Sequence, residues 1–459
     1  MTADNINPFA TDPENMAKLY HELFLGTALR ENDDNPVHIF LRGLAYLSGI
    51  NVKADHDLAL RLIIQAAETG MPMAYEQLVS MYQTGEGVER NYHTAIEWQK
   101  KYVDHLRKQA VEQETEKARK ALIIGLERLG DQQKDVGDMR SAKESYQQML
   151  EHALEMSQRG WEARRYLSVT YERLGDICRE ENDLSGAKAW HEKSIEIRRT
   201  LIEESRTVEA FRDLSMSYNK LGDICRAEGD LSGAKALYEK GLEIRRALAE
   251  ETGTIQSRRD LSVSYNNLGD ICCEEGDLSG AKARYEKGLE ISRALAEESG
   301  TVEARRDLSV SYSKLGNICE DEGNLSGAKA WYEKDLEISR ALADETWTAE
   351  ARLDLSISYE NLGDICKAED DLNGAKAWYE KGLEISRALA DEIRTQDSLE
   401  DLSRCYYRMG TLSILPEAER RAYLEQLVEI SKGLYQQTGL PKFKENIEEG
   451  EEALSQLNG

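Results

Sequence analysis

The sequence predicts an all-α protein, a right-handed α-solenoid in which antiparallel helix pairs follow one another along a superhelix. The main observation is a Leu-Gly pair that recurs, mostly at a spacing of 47 residues, from Leu129 to Leu362. A second is that no proline lies between Pro72 and Pro416, so long helices are not interrupted. A third is a composition of 40% hydrophobic and 32% charged residues, which suits a thin array whose layers bury only their contacts with neighbours.

Each 47-residue unit carries the same framework around its Leu-Gly pair. In the unit of Leu315, Tyr312 precedes the leucine by three residues, Ala328 follows it by thirteen, and Tyr332 comes four residues later. In five of the units a cysteine follows the Leu-Gly pair, so five of the seven cysteines belong to the repeat. We interpret these cysteines as small packing residues rather than as a disulfide framework or a zinc motif.

Written as Y-x2-L-G-x2-C followed by A-x3-Y, the unit resembles the tetratricopeptide repeat (TPR), with W-x2-L-G-x2-Y and A-x3-F. The resemblance covers residues 110–437, with two departures: a TPR has about 34 residues, and the proline that usually ends its second helix is missing here. Thirteen extra residues add about two turns to each helix. We therefore predict a first helix (helix A) over 303–322, a second (helix B) over about 325–345, and a deeper groove than usual.

The repeated small and polar residues predict how the helices begin, end and pack. Glycine after the leucine and alanine in helix B allow close approach of the helices, and we expect the tyrosines to fill the space between successive pairs. Thr252-Gly253-Thr254 supplies a glycine stop and a threonine start between units. Residues that can cap the N-terminus of helix B are Asp183, Asp230, Asp277, Asn324 and Asp371.

A different repeat precedes these units. Gly49 and Gly85 lie 36 residues apart in matching contexts, and the run from Tyr82 to Lys101 resembles the SEL-like repeat, a relative of the TPR with a longer loop. Arrays that mix the two types resemble bacterial proteins. The predicted organisation is a helical cap over 1–34, two SEL-like repeats over 35–106, six TPR-like units over 107–397, and a degenerate repeat with a capping helix over 398–459.

Charge and hydropathy exclude several classes of partner. The net charge of -27 repels phosphate backbones and anionic membrane surfaces, so we expect neither nucleic acid nor a membrane as partner. The N-terminal sequence lacks the basic and apolar regions of a signal peptide, and no apolar run could span a bilayer. We therefore expect a cytoplasmic protein whose acidity keeps it in solution and favours partners with basic segments.

No catalytic constellation is found in the sequence. The seven histidines are scattered, and Gly85-Glu86-Gly87 lacks the third glycine, the preceding strand and the Lys-Ser/Thr of a phosphate loop. The sequence thus predicts a protein that is not an enzyme and that has no cofactor and no metal site.

The candidate binding surface lies on helix A, opposite the packing leucine. At about 100° per residue, four positions of each helix A share that side, and each forms a ladder along the array. The resulting partner-binding candidates are Arg212, Arg259 and Arg306; Met216, Val263 and Val310; Asn219 and Asn266; and Asp223 and Asp270. Amides on this face hold bound peptides in similar TPR proteins. The alternative is that the arginines and aspartates only pair between neighbouring repeats.

These observations predict a non-catalytic scaffold or adaptor that binds a protein or peptide segment in the concave groove. The alternative is a regulatory sensor whose array binds a small ligand or a signalling peptide and changes conformation. Self-association stays open as well, because a basic and an acidic rim on one surface allow two arrays to pair.

Overall fold

The computed structural model describes residues 34–457, and within that range the chain forms nineteen α-helices and no β-strand. The helical cap predicted for residues 1–34 lies, except for its last residue, outside the described residues. The N-terminal part contains α1 (Pro36–Ser48), α2 (His56–Glu68), α3 (Pro72–Thr84), α4 (Tyr92–Gln113), α5 (Glu116–Asp135), α6 (Met139–Met156) and α7 (Trp161–Glu180).

The remaining helices alternate between the two members of each pair. They are α8 (Leu184–Ser205), α9 (Val208–Ala227), α10 (Leu231–Thr252), α11 (Ile255–Glu274), α12 (Leu278–Ser299), α13 (Val302–Asp321), α14 (Leu325–Thr346), α15 (Ala349–Ala368), α16 (Leu372–Ile393), α17 (Gln396–Thr411), α18 (Glu417–Thr438) and α19 (Pro441–Leu457).

The described chain divides into two compact units. The first comprises the residues up to Glu180 together with Ala189–Ser205, and the second comprises Glu181–Lys188 together with the residues from Arg206 onwards. In the first unit each helix from α1 to α7 packs against the next, and in the second unit the same holds from α9 to α19. The predicted solenoid of consecutive helix pairs is confirmed.

The long repeat is accommodated by long helices, as the missing prolines predicted. Helix A of one unit, expected at 303–322, is α13 (Val302–Asp321), and helix B, expected at 325–345, is α14 (Leu325–Thr346). None of the helices among the described residues is both long and apolar enough to cross a membrane.

The helix ends use the predicted capping residues. The Asp277 carboxylate accepts a hydrogen bond of 2.9 Å from the backbone N–H of Gly280 at the start of α12, and Thr254 Oγ1 accepts one of 3.1 Å from Ser257 at the start of α11. Gly253 ends α10 in the left-handed conformation, with φ of 58°. Trp347 ends α14 in the same left-handed conformation, with φ of 49°, which residues other than glycine rarely adopt.

The Leu-Gly pair lets the two helices of one unit touch. A Cβ on Gly316 would lie 2.4 Å from a ring carbon of Tyr332, which is 1% exposed. The hydroxyl of Tyr332 donates to Asn317 Oδ1 at 2.7 Å. The helix B tyrosines therefore pack inside each pair, and Tyr332 also belongs to a core cluster with Leu355 and Leu362 of the next repeat.

The glycines of the N-terminal repeats have structural roles. Gly49 and Gly85 end α1 and α3 in the left-handed conformation, and a Cβ on Gly87 would lie 2.5 Å from Leu47 Cδ1. Pro36 and Pro72 begin the same helices, where the missing backbone N–H has no intrahelical partner to lose. These glycines shape the loops between helices.

The cysteines of the repeat are buried free thiols. Burial raises the pKa of Cys272, Cys319 and Cys366, which keeps them in the unreactive thiol form. Cys273, outside the repeated position, is half-buried and lies 3.5 Å from the Tyr285 hydroxyl. Burial raises its pKa too, so a reactive thiol at this position finds no support.

Candidate functional site

Three successive A helices of the second unit, α9, α11 and α13, expose an aliphatic side chain at the same repeat position. Met216 on α9 is 38% exposed, and Val263 on α11 and Val310 on α13 are each 41% exposed. The leucines and isoleucines that face the pairs are buried on the same helices, such as Leu315 and Ile318 on α13. We call Met216, Val263 and Val310 the aliphatic stripe; none of the three belongs to a hydrophobic core cluster among the described residues.

The arginine ladder is tied to the next repeat by ion pairs. Arg212 Nε donates to Asp260 at 2.8 Å, and Nη2 of Arg259 donates to Asp307 at 3.0 Å. Arg306 makes the equivalent contact with Asp354. We call these three pairs the Arg–Asp rail. Since the arginines are about one-third or more exposed, each pair stabilises the fold by about 1 kcal/mol or less.

The aspartate ladder is engaged by helix B of its own pair. The Tyr238 hydroxyl donates to Asp223, and the Tyr285 hydroxyl donates to Asp270. Burial and the neighbouring carboxylate raise the pKa of both tyrosines, so the hydroxyls stay protonated donors. Asp270 also accepts from Lys314 Nζ at 2.7 Å, which ties α11 to α13.

The asparagine ladder lies deeper than the stripe. Asn219 is 8% exposed, and with its amide oxygen towards Arg245 it accepts from Nη1 at 2.9 Å. Asn266 is half-buried, and its Oδ1 has no hydrogen-bond partner among the described residues. A Cβ on Gly288 would lie 2.6 Å from that oxygen. Both amides therefore face helix B of their own pair.

Sequence reasoning missed a column of polar residues between the two helices of each pair. A residue of helix A faces a residue of helix B 26 positions later, and we call each such place a polar slot. The first slot holds a buried ion pair, Glu172 with Arg198 at 2.5 Å, with exposures of 7% and 4%. Two arginines, Arg198 and Arg245, in a column that otherwise holds serines were the available signal. In the next pair Asn219 faces Arg245. The aligned positions of the later pairs hold Asn266 and Ser292, Ser313 and Ser339, and Glu360 and Ser386.

Asp335 places a buried carboxyl beside one of these slots. The aligned residues are Ser194, Gly241, Gly288 and Gly382. Asp335 is 4% exposed and accepts hydrogen bonds from Ser309, from Ser358 at 2.9 Å and from Ser339 at 3.3 Å. No lysine or arginine forms an ion pair with it in residues 34–457. Burial raises the pKa of Asp335, with the serine hydroxyls opposing that effect.

Replacing Asp335 by glycine is therefore expected to stabilise the protein at neutral pH, by about 1 kcal/mol, since a buried charge without a counter-ion disappears. The hydroxyls keep partners, as Ser262 does around Gly288, where it bonds the carbonyl at 3.1 Å. Because the folded pKa is raised, the penalty vanishes as pH falls through that pKa. The free energy of unfolding in urea, compared between the wild type and the variant at pH 7.5 and pH 4.5, measures this pH dependence. An equal gain in stability at both pH values would contradict the prediction.

A second buried acidic group lies where α15, α16 and α17 meet. Glu360, Asp401 and Cys405 are each 2% exposed or less, and their polar atoms lie within 4.8 Å of one another. The carboxylates are paired with Arg404 and Arg408, with 2.8 Å from each guanidinium to Glu360 Oε2. The arginines supply the balancing charge that a cation would otherwise bring.

Comparison with known families and structures gives the following similarities. The Sel1 repeat matches residues 39–71 and 73–101, and the tetratricopeptide repeat matches residues 213–294, 310–342 and 357–389. No curated protein matches the chain significantly.

Similar solved structures include BtubC (BKLC) from P. vanneervenii, with 20% identity and a TM-score of 0.45 over 55% of this chain and 92% of that one. The apo form of RapI has 12% identity and a TM-score of 0.48 over 85% and 98%. The S. pombe nuclear import adaptor Nro1 has 14% identity and a TM-score of 0.36 over 63% and 99%. The chain thus contains Sel1 repeats in its N-terminal part and tetratricopeptide repeats after them.

Proposed function

We propose that the protein is a non-catalytic scaffold that binds a segment of a partner protein along the aliphatic stripe of its second unit. The observation that carries this proposal is the regular exposure of Met216, Val263 and Val310 on three successive A helices. Apolar side chains that recur at one face without a packing role are typical of an interaction surface. The tetratricopeptide repeats support this class of function.

The charges beside the stripe favour contact through apolar side chains and backbone. The arginines of the Arg–Asp rail already have carboxylate partners, and Asp270 is occupied by Lys314 and Tyr285. A segment that competed for these groups would have to break ion pairs between repeats. Net acidity still attracts segments with basic residues over longer distances.

The test uses random 12-residue peptides displayed on phage and selected on the full chain. Replacing Met216, Val263 and Val310 together by serine is expected to weaken the selected peptides at least about tenfold, because three apolar contacts are lost. The free energy of unfolding should hardly change, since these side chains are exposed.

The matched control replaces Val208 and Ile255 by serine. These side chains are 40% and 44% exposed at the first residues of α9 and α11, away from the stripe. The control should bind the selected peptides like the wild type. Equal binding by the stripe variant and the wild type would refute the proposed surface.

A further inference from the structure

On α17, the repeat position of the aliphatic stripe is occupied by an arginine that buried carboxyls hold. The residues at the stripe position continue from Val310 through Ile357 to Arg404 on α17. Arg404 keeps 41% of its side chain exposed, while Nε donates to Glu360 at 2.8 Å and Nη2 donates to Asp401. One guanidinium therefore joins the stripe position to two acidic groups in the interior.

The Arg–Asp rail stops one repeat before Asp401. Asp401 aligns with Asp260, Asp307 and Asp354, which each accept from a rim arginine of the preceding repeat. Leu353 stands where the next rim arginine would be. Asp401 is 2% exposed and accepts from Arg404 and from the Ser386 hydroxyl instead.

The surroundings of Asp401 place its titration near neutrality. Facing it are Glu360 and Ser356 from α15, Ser386 from α16, and Arg404, Cys405 and Arg408 from α17. Burial and the charge of Glu360 raise the pKa of Asp401 to about 6, and the arginines and Ser386 limit the rise. Because the folded pKa of this carboxyl is raised, its ionisation destabilises the folded protein as pH rises towards and past 6.

We propose that Arg404, which occupies the stripe position on α17, is a proton-operated contact: neutralising Asp401 removes one of the two acidic groups that hold Arg404, and frees its Nη2 for an acidic group of a bound segment. The bound segment in this proposal rests on the proposed function, whereas the titration of Asp401 does not depend on it. Binding of a carboxylate to Arg404 and of a proton to Asp401 then favour each other, since such coupling is reciprocal.

The first test needs no partner. Carboxyl carbon NMR of the full chain should show a resonance that titrates near pH 6 and is missing in Asp401→Asn. The Nη2 protons of Arg404, which donate to Asp401, should exchange faster with water at pH 5.5 than at pH 7.5 once the intrinsic pH dependence is subtracted. In Asp401→Asn their corrected exchange should be fast at both values. Titration of Asp401 at its ordinary value, or an Arg404 signal unaffected by it, would overturn the proposal.

The second test measures binding of a displayed peptide that carries one glutamate, with its glutamine counterpart as control. The glutamate peptide should bind the wild type several-fold more tightly at pH 5.5 than at pH 7.5, and Asp401→Asn should remove that difference. Equal pH dependence in the variant would refute the switch. Failure of every peptide to bind would instead refute the stripe as a binding surface, with the NMR titration still deciding the state of Asp401.

Discussion

Replacing Arg198 by serine is expected to lower the free energy of unfolding by about 3–5 kcal/mol, the largest effect that the structure predicts. Arg198 and Glu172 form a buried ion pair with 2.5 Å between Nη2 and Oε2, and both side chains are nearly inaccessible to water. Removing the guanidinium takes away the charge that Arg198 places against the buried Glu172 carboxylate between α7 and α8. Urea-induced unfolding followed by circular dichroism at pH 7.5 measures the loss.

The array supplies the control for this experiment. In another repeat the equivalent slot holds Asn266 and Ser292, and the Ser292 hydroxyl lies 2.9 Å from that of Ser262. The double variant Glu172→Asn with Arg198→Ser copies that pair and leaves no buried charge. It should recover most of the lost stability, because replacing both members of a buried ion pair is often nearly neutral. Equal destabilisation by the single and double variants would show that the charge is not the cause.

Replacing Gly316 by alanine is expected to destabilise the protein by about 3 kcal/mol, because the new methyl group has no space. The Cβ would lie 2.4 Å and 2.6 Å from two ring carbons of Tyr332. That ring is buried and its hydroxyl is fixed on Asn317, so it cannot move aside without losing a hydrogen bond. The thermal midpoint and the free energy of unfolding should both fall.

Gly433 provides the matched control for Gly316. It lies inside α18, and a Cβ there would meet nothing within 4 Å. Alanine at this place should stabilise the helix by about 0.5–1 kcal/mol, as expected for glycine in a helix interior. The two substitutions are chemically identical, so opposite signs separate packing from helix propensity. Loss of stability in both would contradict this interpretation.

Helix lengths and caps could be predicted from the sequence because they depend on nearby residues. The capping aspartate of α12 bonds a backbone N–H three residues later, and the absence of proline allows each helix to continue to its next turn. The bounds of α13 and α14 agree with the predicted ones to within one residue. The repeat itself made these local signals unambiguous by presenting them several times.

Side-chain burial on helix A was harder to predict, because the helix is enclosed by more than one neighbour. Three residues span about 300° of a helix, so Asn219 is rotated by about 60° from Met216. That rotation is enough to move the side chain from the exposed strip to the surface facing Arg245 on α10. A ladder drawn opposite the packing leucine covers a wider arc than the strip that stays accessible.

The buried acidic groups needed information that no single repeat contains. Asp401 has the same residue type as Asp354 one repeat earlier, and their environments differ because Leu353 replaces a rim arginine and Arg404 replaces Ile357. Partners of this kind lie 48 positions apart, as for Arg306 and Asp354. The charge state of a buried acidic group depends on the residues of the neighbouring repeats. These contacts are known only once the helices are packed against one another.

The Arg–Asp rail has a consequence for how such a chain can change its length. Each of the three rail arginines finds its carboxylate in the following repeat, at the same offset of 48 residues. Deleting or duplicating one complete 47-residue unit within this stretch removes or adds one cation and one anion together and leaves each remaining arginine matched. Removing half a unit would leave an arginine or an aspartate of the rail without its partner at the new junction. Duplication of whole repeats in the gene can therefore lengthen the array while each rail arginine keeps a carboxylate partner.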